Sequence, residues 1–402
     1  MSKKVIVTGF GIVSAIGTNS NQVLTSLLTG KTNLSSTDMI DTIHKDDIPV
    51  AEVKLSNSKI RDILNLTPPE SFQTRATLMG IMAAEEAVKM ADLKIDKNRR
   101  IGLISSTSVG GMDRTEVFFP KYLENSMGGQ LREVLGHDCG NHSRDMAKHF
   151  GINDFVTTIS TACSSAANAI MLGARLIKNN SLDCVIVGGV DALSMFTING
   201  FNSLMILDKA PCRPFDDTRS GLNIGEGAAF LILEPEEKAR ERGCKGMVEL
   251  RGYGNACDAF HQTASSPDGT GPALAMRSAL KKAQLQTEDI SYVNVHGTGT
   301  PNNDLSEGIA LQNVFNNNIP PFSSTKPFTG HTLGAAGSIE AVISILSINN
   351  NVIFPNLNYK TPMKEISIKP TTELVQNTTV NHVLSNSFGF GGNNTTLIFS
   401  KI

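Results

Sequence analysis

Four short stretches of this 402-residue chain combine side chains that do chemistry with the small neighbours that give a substrate access. In Ile159-Ser160-Thr161-Ala162-Cys163-Ser164-Ser165-Ala166-Ala167 an extended segment gives way to a helix opened by small residues. Amide N–H groups and the dipole at a helix start favour negative charge, so the spacing predicts a lowered thiol pKa at Cys163 and a nucleophilic thiolate. The bland alternative is a buried structural cysteine, the commoner fate of a free thiol. In Val293-Asn294-Val295-His296-Gly297-Thr298-Gly299-Thr300-Pro301 a strand ends in a histidine, and a loop of Gly and Thr then lets a substrate approach the backbone. The stretch from Ser324 to Gly337 sets Lys326 five residues before His331, just ahead of a small-residue helix. Glu340, on that helix, is placed to pair with a buried lysine or to ligate an ion. A lone histidine is usually structural, but two at strand and loop ends in Gly-rich surroundings point to a site. Finally, Ser385-Asn386-Ser387-Phe388-Gly389-Phe390-Gly391-Gly392-Asn393-Asn394 reads either as a flexible turn before the last strand or as an oxyanion hole with an aromatic gate.

Positioning these groups takes alternating strands and helices. Strand-like runs at Val5-Val7, Ile101-Ile104, Val185-Val187, Ala228-Leu233, Val248-Tyr253, Tyr292-Val295 and Leu397-Ser400 are separated by helical stretches at Ala76-Met90, Ser164-Lys178, Pro272-Ala283 and Ala335-Asn349. That alternation predicts an α/β fold with buried central strands. The polar stretch Arg240-Gly246 is the most linker-like point, and no internal repeat is visible by identity.

Composition removes whole classes. With 40% hydrophobic and 18% charged residues the chain is globular in type, and a net charge of −2, no Trp and 5% aromatics argue against nucleic acid. No apolar run reaches the roughly 18 residues of a membrane span. Lys3-Lys4 followed by Val5 to Ile16 imitates a signal peptide, but Thr8, Gly9, Gly11 and Ser14 interrupt its apolar core, leaving a strand and turn. Cys139, Cys163, Cys184, Cys212, Cys244 and Cys257 form no CxxC pair, which fits thiols in a reducing cytoplasm.

Other constellations compete. His137, Cys139 and His142 offer three close metal ligands without a distant fourth, and a helix start is the simpler reading. Gly9 and Gly11 imitate a dinucleotide fingerprint whose third glycine is replaced by Ser14. The 133-residue separation of Cys163 and His296 suits a papain-like hydrolase, but the sequence signature of that class is absent.

Taken in this order, the four stretches closely resemble those of the elongating β-ketoacyl-acyl-carrier-protein synthases, from Val7-Thr8-Gly9-Phe10-Gly11 to Leu397-Ile398-Phe399. The resemblance implies a thiolase fold, with two pseudo-symmetric βαβαβαββ halves (1–245 carrying Cys163, 246–402 carrying both histidines) in five α-β-α-β-α layers. It implies Cys163 as acyl acceptor, His296 and His331 as partners in a Cys-His-His triad, and Lys326 holding the histidine region through Asp304, Glu307 or Glu340. It also implies an oxyanion hole from the N–H groups of Cys163 and Phe390, Phe390 as gate, and Thr298, Thr300, Phe201 and Val109 as substrate contacts. No cofactor is required, although Asn294, Glu340, Ser385 and Asn386 match positions that surround a monovalent cation in relatives.

The implied reaction is decarboxylating condensation of an acyl thioester with malonyl-acyl-carrier protein in a cytoplasmic dimer that elongates fatty acids. A nucleophile-free chain-length partner is disfavoured by the presence of Cys163, and a histidine at 331 favours carrier-bound elongation over coenzyme A priming. Three departures from the family pattern stand out. Leu222 replaces a common phenylalanine, and Leu66 to Gln73 and Asn202 to Leu207 lack the cations expected to meet an acidic carrier. Lys121, Arg132, Lys209 and Arg213 are candidate substitutes. Together with the polar end of Thr107-Glu116, the missing patch raises the alternative of an aryl-polyene or polyketide-like pathway, with a dedicated carrier and a heterodimeric chain-length factor.

Overall fold

The computed structural model describes residues 3–66, 73–96, 98–316 and 318–402. The strands are β1 (Val5–Ser14), β2 (Leu34–Ser35), β3 (Val50–Ala51), β4 (Ile101–Ser106), β5 (Phe155–Ile159), β6 (Cys184–Asp191), β7 (Gly227–Pro235), β8 (Val248–Cys257), β9 (Tyr292–Asn294), β10 (Phe322–Ser323), β11 (His382–Gly389) and β12 (Asn393–Lys401). The helices are α1 (Ser20–Thr29), α2 (Asn57–Ile63), α3 (Arg75–Met90), α4 (Met112–Glu124), α5 (Asn141–Phe150), α6 (Ser165–Lys178), α7 (Met195–Ser203), α8 (Glu236–Glu241), α9 (Thr270–Ala283), α10 (Pro301–Phe315), α11 (Lys326–Thr329) and α12 (Ala336–Asn350).

Ten strands form a sheet in the order β10-β9-β11-β12-β8-β1-β7-β6-β4-β5. Its middle joint is narrow: β1 and β8 meet only at Ile6 with Glu249 and Val7 with Val248. Each side of that joint repeats one pattern. In the first half, β1–β7 and β7–β6 are antiparallel, while β6–β4 and β4–β5 are parallel. In the second, β8–β12 and β12–β11 are antiparallel, while β11–β9 and β9–β10 are parallel. A duplication that residue identity hides is therefore explicit in the topology.

Strand alternation builds three cores, because successive side chains of a strand point to opposite faces. Val185, Val187, Leu231 and Leu233 from the first half face the same central core as Val383, Leu397 and Phe399 from the second. The helices α6 and α12 fill that core with Ile170, Ala174, Ile339 and Ile343. The alternate residues Ile186, Phe230 and Ile232 pack outward against α3. Leu384 and Ile398 pack outward against α9 and α10. Helix, sheet, helix pair, sheet and helix make the five α-β-α-β-α layers.

The early Gly-x-Gly is a packing device. A Cβ at Gly9 or Gly11 of β1 would overlap the carbonyl oxygens of Ala87 and Ala83 in α3, and one at Gly252 or Gly254 of β8 would overlap those of Ala279 and Ala275 in α9. Both halves thus seat an outer helix directly on a strand backbone, and the two glycine pairs are a trace of the duplication.

Candidate active site

Cys163 stands between β5 and α6, one residue after Ala162, which adopts a left-handed backbone at φ +53. That conformation costs a non-glycine residue on the order of 1 kcal/mol or more. It is fixed by Ala162 itself, whose carbonyl accepts the Ser165 N–H at 3.1 Å and the Ser165 hydroxyl at 2.5 Å. His331 occupies the matching position in the second half, between β10 and α12. Its Nε2 lies 3.0 Å from Cys163 Sγ. His296 follows β9, with its ring 5.2 Å from that of His331 and nearly perpendicular to it.

Burial sets the protonation states. All three residues are almost fully buried, and desolvation pushes the Cys163 thiol up to about 12, against smaller lowering effects from the Lys326 charge and the Phe390 N–H. The lowered pKa expected from the helix start is thus overturned, because loss of water outweighs a dipole whose effect is usually below 2 kcal/mol. Both imidazoles are held well below the usual histidine range, first by burial and then by the Lys326 cation. The resting pair is a neutral thiol on a neutral imidazole.

Lys326, at the start of α11, makes three hydrogen bonds: to His296 Nδ1 at 3.2 Å, to the His296 carbonyl at 2.5 Å and to Glu340 Oε1. An ammonium only donates, so His296 Nδ1 must accept and its proton must sit on Nε2. Of the three carboxylates considered for Lys326, Glu340 is the partner. The other two are backbone clamps: Glu307 accepts the His296 and Gly297 N–H groups at 2.9 and 2.8 Å, and Asp304 accepts those of Thr298 and Phe215 at 3.0 and 2.8 Å. Burial raises Glu307 and Glu340 to about 7.

A cavity of about 190 Å³ opens onto Cys163, His296 and His331. Phe201, Leu222, Thr298, Thr300 and Phe390 line it. The two threonine hydroxyls lie 2.8 Å apart, and the Phe201 and Phe390 rings stack at 6.0 Å. The Phe390 N–H lies close enough to the Cys163 sulfur to favour its thiolate. Val109 does not line this cavity. Its N–H faces Asp191 at 3.3 Å. The segment read as a glycine-rich loop is β11 as far as Gly389, so only Phe390-Gly392 turns.

Cys163, His296 and His331 offer ligand atoms within 4.8 Å of one another, a spacing that a metal could bridge. The Lys326 cation against His296 opposes a second positive charge there. Of the residues matched to a monovalent-cation site, Asn294 Oδ1 and Glu340 Oε2 are buried acceptors without a hydrogen bond, which fits a cation. The Asn386 side chain is already engaged: its Nδ2 donates to Glu307 at 3.0 Å and its Oδ1 accepts from Thr396 at 2.8 Å. Ser385 lies in the β11–β12 ladder, opposite Leu397. The His137, Cys139 and His142 group is not gathered as a ligand set: His142 Nδ1 meets the Cys139 carbonyl and its Nε2 meets Ser105, while His137 meets Thr115.

Residues 2–239 match the family model described as the N-terminal domain of β-ketoacyl synthase, and residues 247–360 match its C-terminal domain. The chain belongs to the β-ketoacyl synthase family. It is 33% identical to the 3-oxoacyl-[acyl-carrier-protein] synthase 2 of Staphylococcus aureus strain COL, across 100% of this chain and 99% of that one. Among solved structures it superposes on the ishigamide ketosynthase/chain length factor with a TM-score of 0.94 at 28% identity, covering both chains fully. It also superposes on AntDE:AntF, a type II PKS acyl-carrier protein in complex with its ketosynthase, with a TM-score of 0.88 at 26% identity and full coverage of both chains.

Within this ketosynthase framework, Leu222 lines the reactive cavity. Of the stretch Leu66 to Gln73, residues 67–72 lie outside the described residues. Asn202 to Leu207 ends α7 and reaches the cavity through Ile206. Among the substitute cations, Lys121 pairs with Glu133 and Arg213 with Asp208, Arg132 approaches Gln130, and Lys209 is exposed. Sequence reasoning missed Asp191. A carboxylate closing the wholly buried strand Cys184–Asp191 was the available signal. No helix among the described residues is long and apolar enough to cross a membrane.

Proposed function

We propose that this chain catalyses decarboxylating condensation of an acyl thioester with a malonyl thioester, both carried by an acyl-carrier protein, to give a 3-oxoacyl product. The observation that carries the reading is a buried thiol 3.0 Å from one imidazole, beside a second imidazole whose tautomer a lysine fixes. As Cys163 Sγ bonds to the acyl carbonyl carbon, its proton passes to His331 Nε2 and then leaves with the departing carrier thiol. The N–H groups of Cys163 and Phe390 hold the oxyanion. With its sulfur acylated, Cys163 no longer donates to His331, and the one hydrogen of the neutral ring, held on Nδ1 while Nε2 accepted from the thiol, shifts to Nε2 by a change of tautomer, so that Nε2 carries a hydrogen beside that of His296. Both donate to the malonyl thioester oxygen as the bond to the carboxylate breaks and its electrons form the enolate. Carbon dioxide leaves, the enolate carbon attacks the acyl carbonyl, and Cys163 departs as a thiolate that takes up one proton from solvent to restore the thiol. A monovalent cation would be held by Asn294 and Glu340 and would compensate the buried carboxylate.

The test is intact-mass analysis of the protein with a panel of acyl-carrier donors, alongside Cys163→Ala and His331→Ala. Acylation is expected to vanish in the first variant, and malonyl decarboxylation in the second. Acylation that survives Cys163→Ala overturns the nucleophile.

Fatty-acid elongation is the primary reading. A second is supported by the cation-poor Asn202 to Leu207 and the likeness to a ketosynthase/chain length factor structure: assembly of a polyketide-like or aryl-polyene chain with a dedicated carrier. Phe119, Leu123, Met127, Leu131 and Leu135 form an exposed apolar stretch, and β5 is an open sheet edge; both support pairing with a second subunit, a copy of this chain or a chain-length factor. Full activity of the isolated homodimer on saturated acyl-carrier substrates would refute the second reading.

A further inference from the structure

His296 and His331 are aimed by different means. Lys326 grips His296 Nδ1, whereas His331 Nδ1 is buried with no hydrogen-bond partner. The His331 ring is therefore directed by Cys163 and by its own backbone. Behind it, the His331 N–H donates to the Asn223 carbonyl at 2.7 Å, and its carbonyl accepts the Gly225 N–H at 2.9 Å. Ahead of it the chain passes through Leu333, a left-handed residue at φ +49, to Gly334. Such a conformation persists in a branched residue only where the surroundings over-determine it.

Those surroundings are one carboxylate and one hydroxyl. Gly334 N–H donates to Asp191 Oδ2 at 2.6 Å, and the Gly334 carbonyl accepts the Ser106 hydroxyl at 3.0 Å. Asp191, at the end of β6 and fully buried, also accepts the Thr107 hydroxyl, the Ser108 N–H at 2.9 Å and the Val109 N–H at 3.3 Å. It has no ion-pair partner among the described residues, so backbone and hydroxyl dipoles carry its charge.

We infer that Asp191 is a positioning residue for the condensation: by tying the loop after β4 to Gly334, it sets His331 Nε2 against Cys163 and the malonyl oxygen. The inference rests on the condensing reading above. Misplacement of a reacting group by about 1 Å costs on the order of 100-fold in rate. During acylation the Cys163 thiol, 3.0 Å away, itself holds His331 Nε2, whereas once the sulfur is acylated only the backbone directs the ring, so loss of the clamp should fall more heavily on the decarboxylation step than on acylation.

The experiment compares the wild type with Asp191→Asn, Asp191→Glu and Ser106→Ala. Readouts are malonyl decarboxylation (kcat and KM separately), Cys163 acylation by intact mass, and thermal unfolding. Asp191→Asn presents two N–H donors to a nest of donors, and is expected to lower decarboxylation kcat by about 10- to 100-fold with KM unchanged. Acylation should fall less than about threefold on the same argument. Asp191→Glu should recover most of the rate, and Ser106→Ala should show the same split more weakly. Equal loss of both steps in parallel with the melting temperature, or no loss in either step, overturns the inference. If Asp191→Asn does not fold, the split in Ser106→Ala and the recovery in Asp191→Glu decide the matter. A wild type that neither acylates Cys163 nor decarboxylates malonyl thioester fails the condensing reading itself, and is distinguishable from every result on Asp191.

Discussion

Replacing Lys326 with methionine separates two jobs that the structure assigns to one ammonium. Its three N–H groups meet His296 Nδ1, the His296 carbonyl and Glu340, and both charged partners are almost fully buried. In Lys326→Met, Glu340 is left without its cation, which costs about 3–5 kcal/mol in stability for an ion held at such depth. Glu340 already titrates near 7 with the lysine present, and losing that lowering influence raises it further. A carboxyl raised above its unfolded value adds stability that is present at low pH and lost as pH climbs through the folded value, so the defect deepens above pH 7. The second job is the tautomer. With the ammonium gone, bare acceptors at the His296 carbonyl and Glu340 draw the imidazole proton to Nδ1, and Nε2 loses the hydrogen that faces the malonyl oxygen. Removal of one such donor costs roughly 100- to 1,000-fold in turnover. Adding Glu340→Gln removes the stranded charge. The double variant should regain most of the stability in denaturant titrations, while decarboxylation, followed as carbon dioxide release from a malonyl thioester, stays depressed. Recovery of rate together with stability in the double variant would refute the tautomer argument, as would near-wild-type turnover in Lys326→Met.

Two further outcomes are expected. Burial lowers His142 from 6.5 to about 4, so the folded state binds fewer protons than the unfolded chain in that window and stability falls as pH drops through it; the loss is about 3 kcal/mol, and His142→Gln should abolish it. Denaturant titrations at pH 7 and pH 4.5 check this, and equal pH dependence in the two proteins would contradict it. In Gly252→Ala the added Cβ would stand 2.5 Å from the Ala279 carbonyl oxygen, which should lower stability by about 1–3 kcal/mol, whereas Gly200→Ala, inside helix α7 with open space around it, should raise stability by about 0.5–1 kcal/mol in the same thermal melts.

The site was legible where chemistry-bearing residues stand at transitions between elements. Cys163, His296, Lys326 and His331 each occupy a strand end or a helix start with small neighbours, and local spacing reveals that without knowledge of the rest of the fold. Properties imposed by distant segments were not legible. The thiol pKa is governed by burial under elements hundreds of residues away, so the local dipole argument gave the wrong direction. Polar Ser385, Asn386 and Ser387 looked like a loop but form buried strand β11, because Asn386 bonds to Glu307 of α10 and to Thr396 of β12. Two-residue β10 is too short to carry a period, and Asp191 shows its purpose only when Gly334, 143 residues later, arrives beside it.

The duplication explains why the site is assembled as it is. Each half runs strand, outer helix, strand, strand, buried helix, and both buried helices begin at the seam between the sheets. The junction before the buried helix carries Cys163 in one half and His331 in the other. The loop after the preceding parallel strand carries Thr107 to Val109 in one half and His296 to Thr300 in the other. Strand ends β6 and β11 supply Asp191 and the approach to Phe390. Matched backbone positions have thus taken unlike chemistry: a nucleophile against a proton carrier, and a clamped loop against a donor. Divergence at these positions is what erases the repeat from the residues, while burial periodicity and the Gly-x-Gly helix seats, which both halves still require, preserve it in the structure.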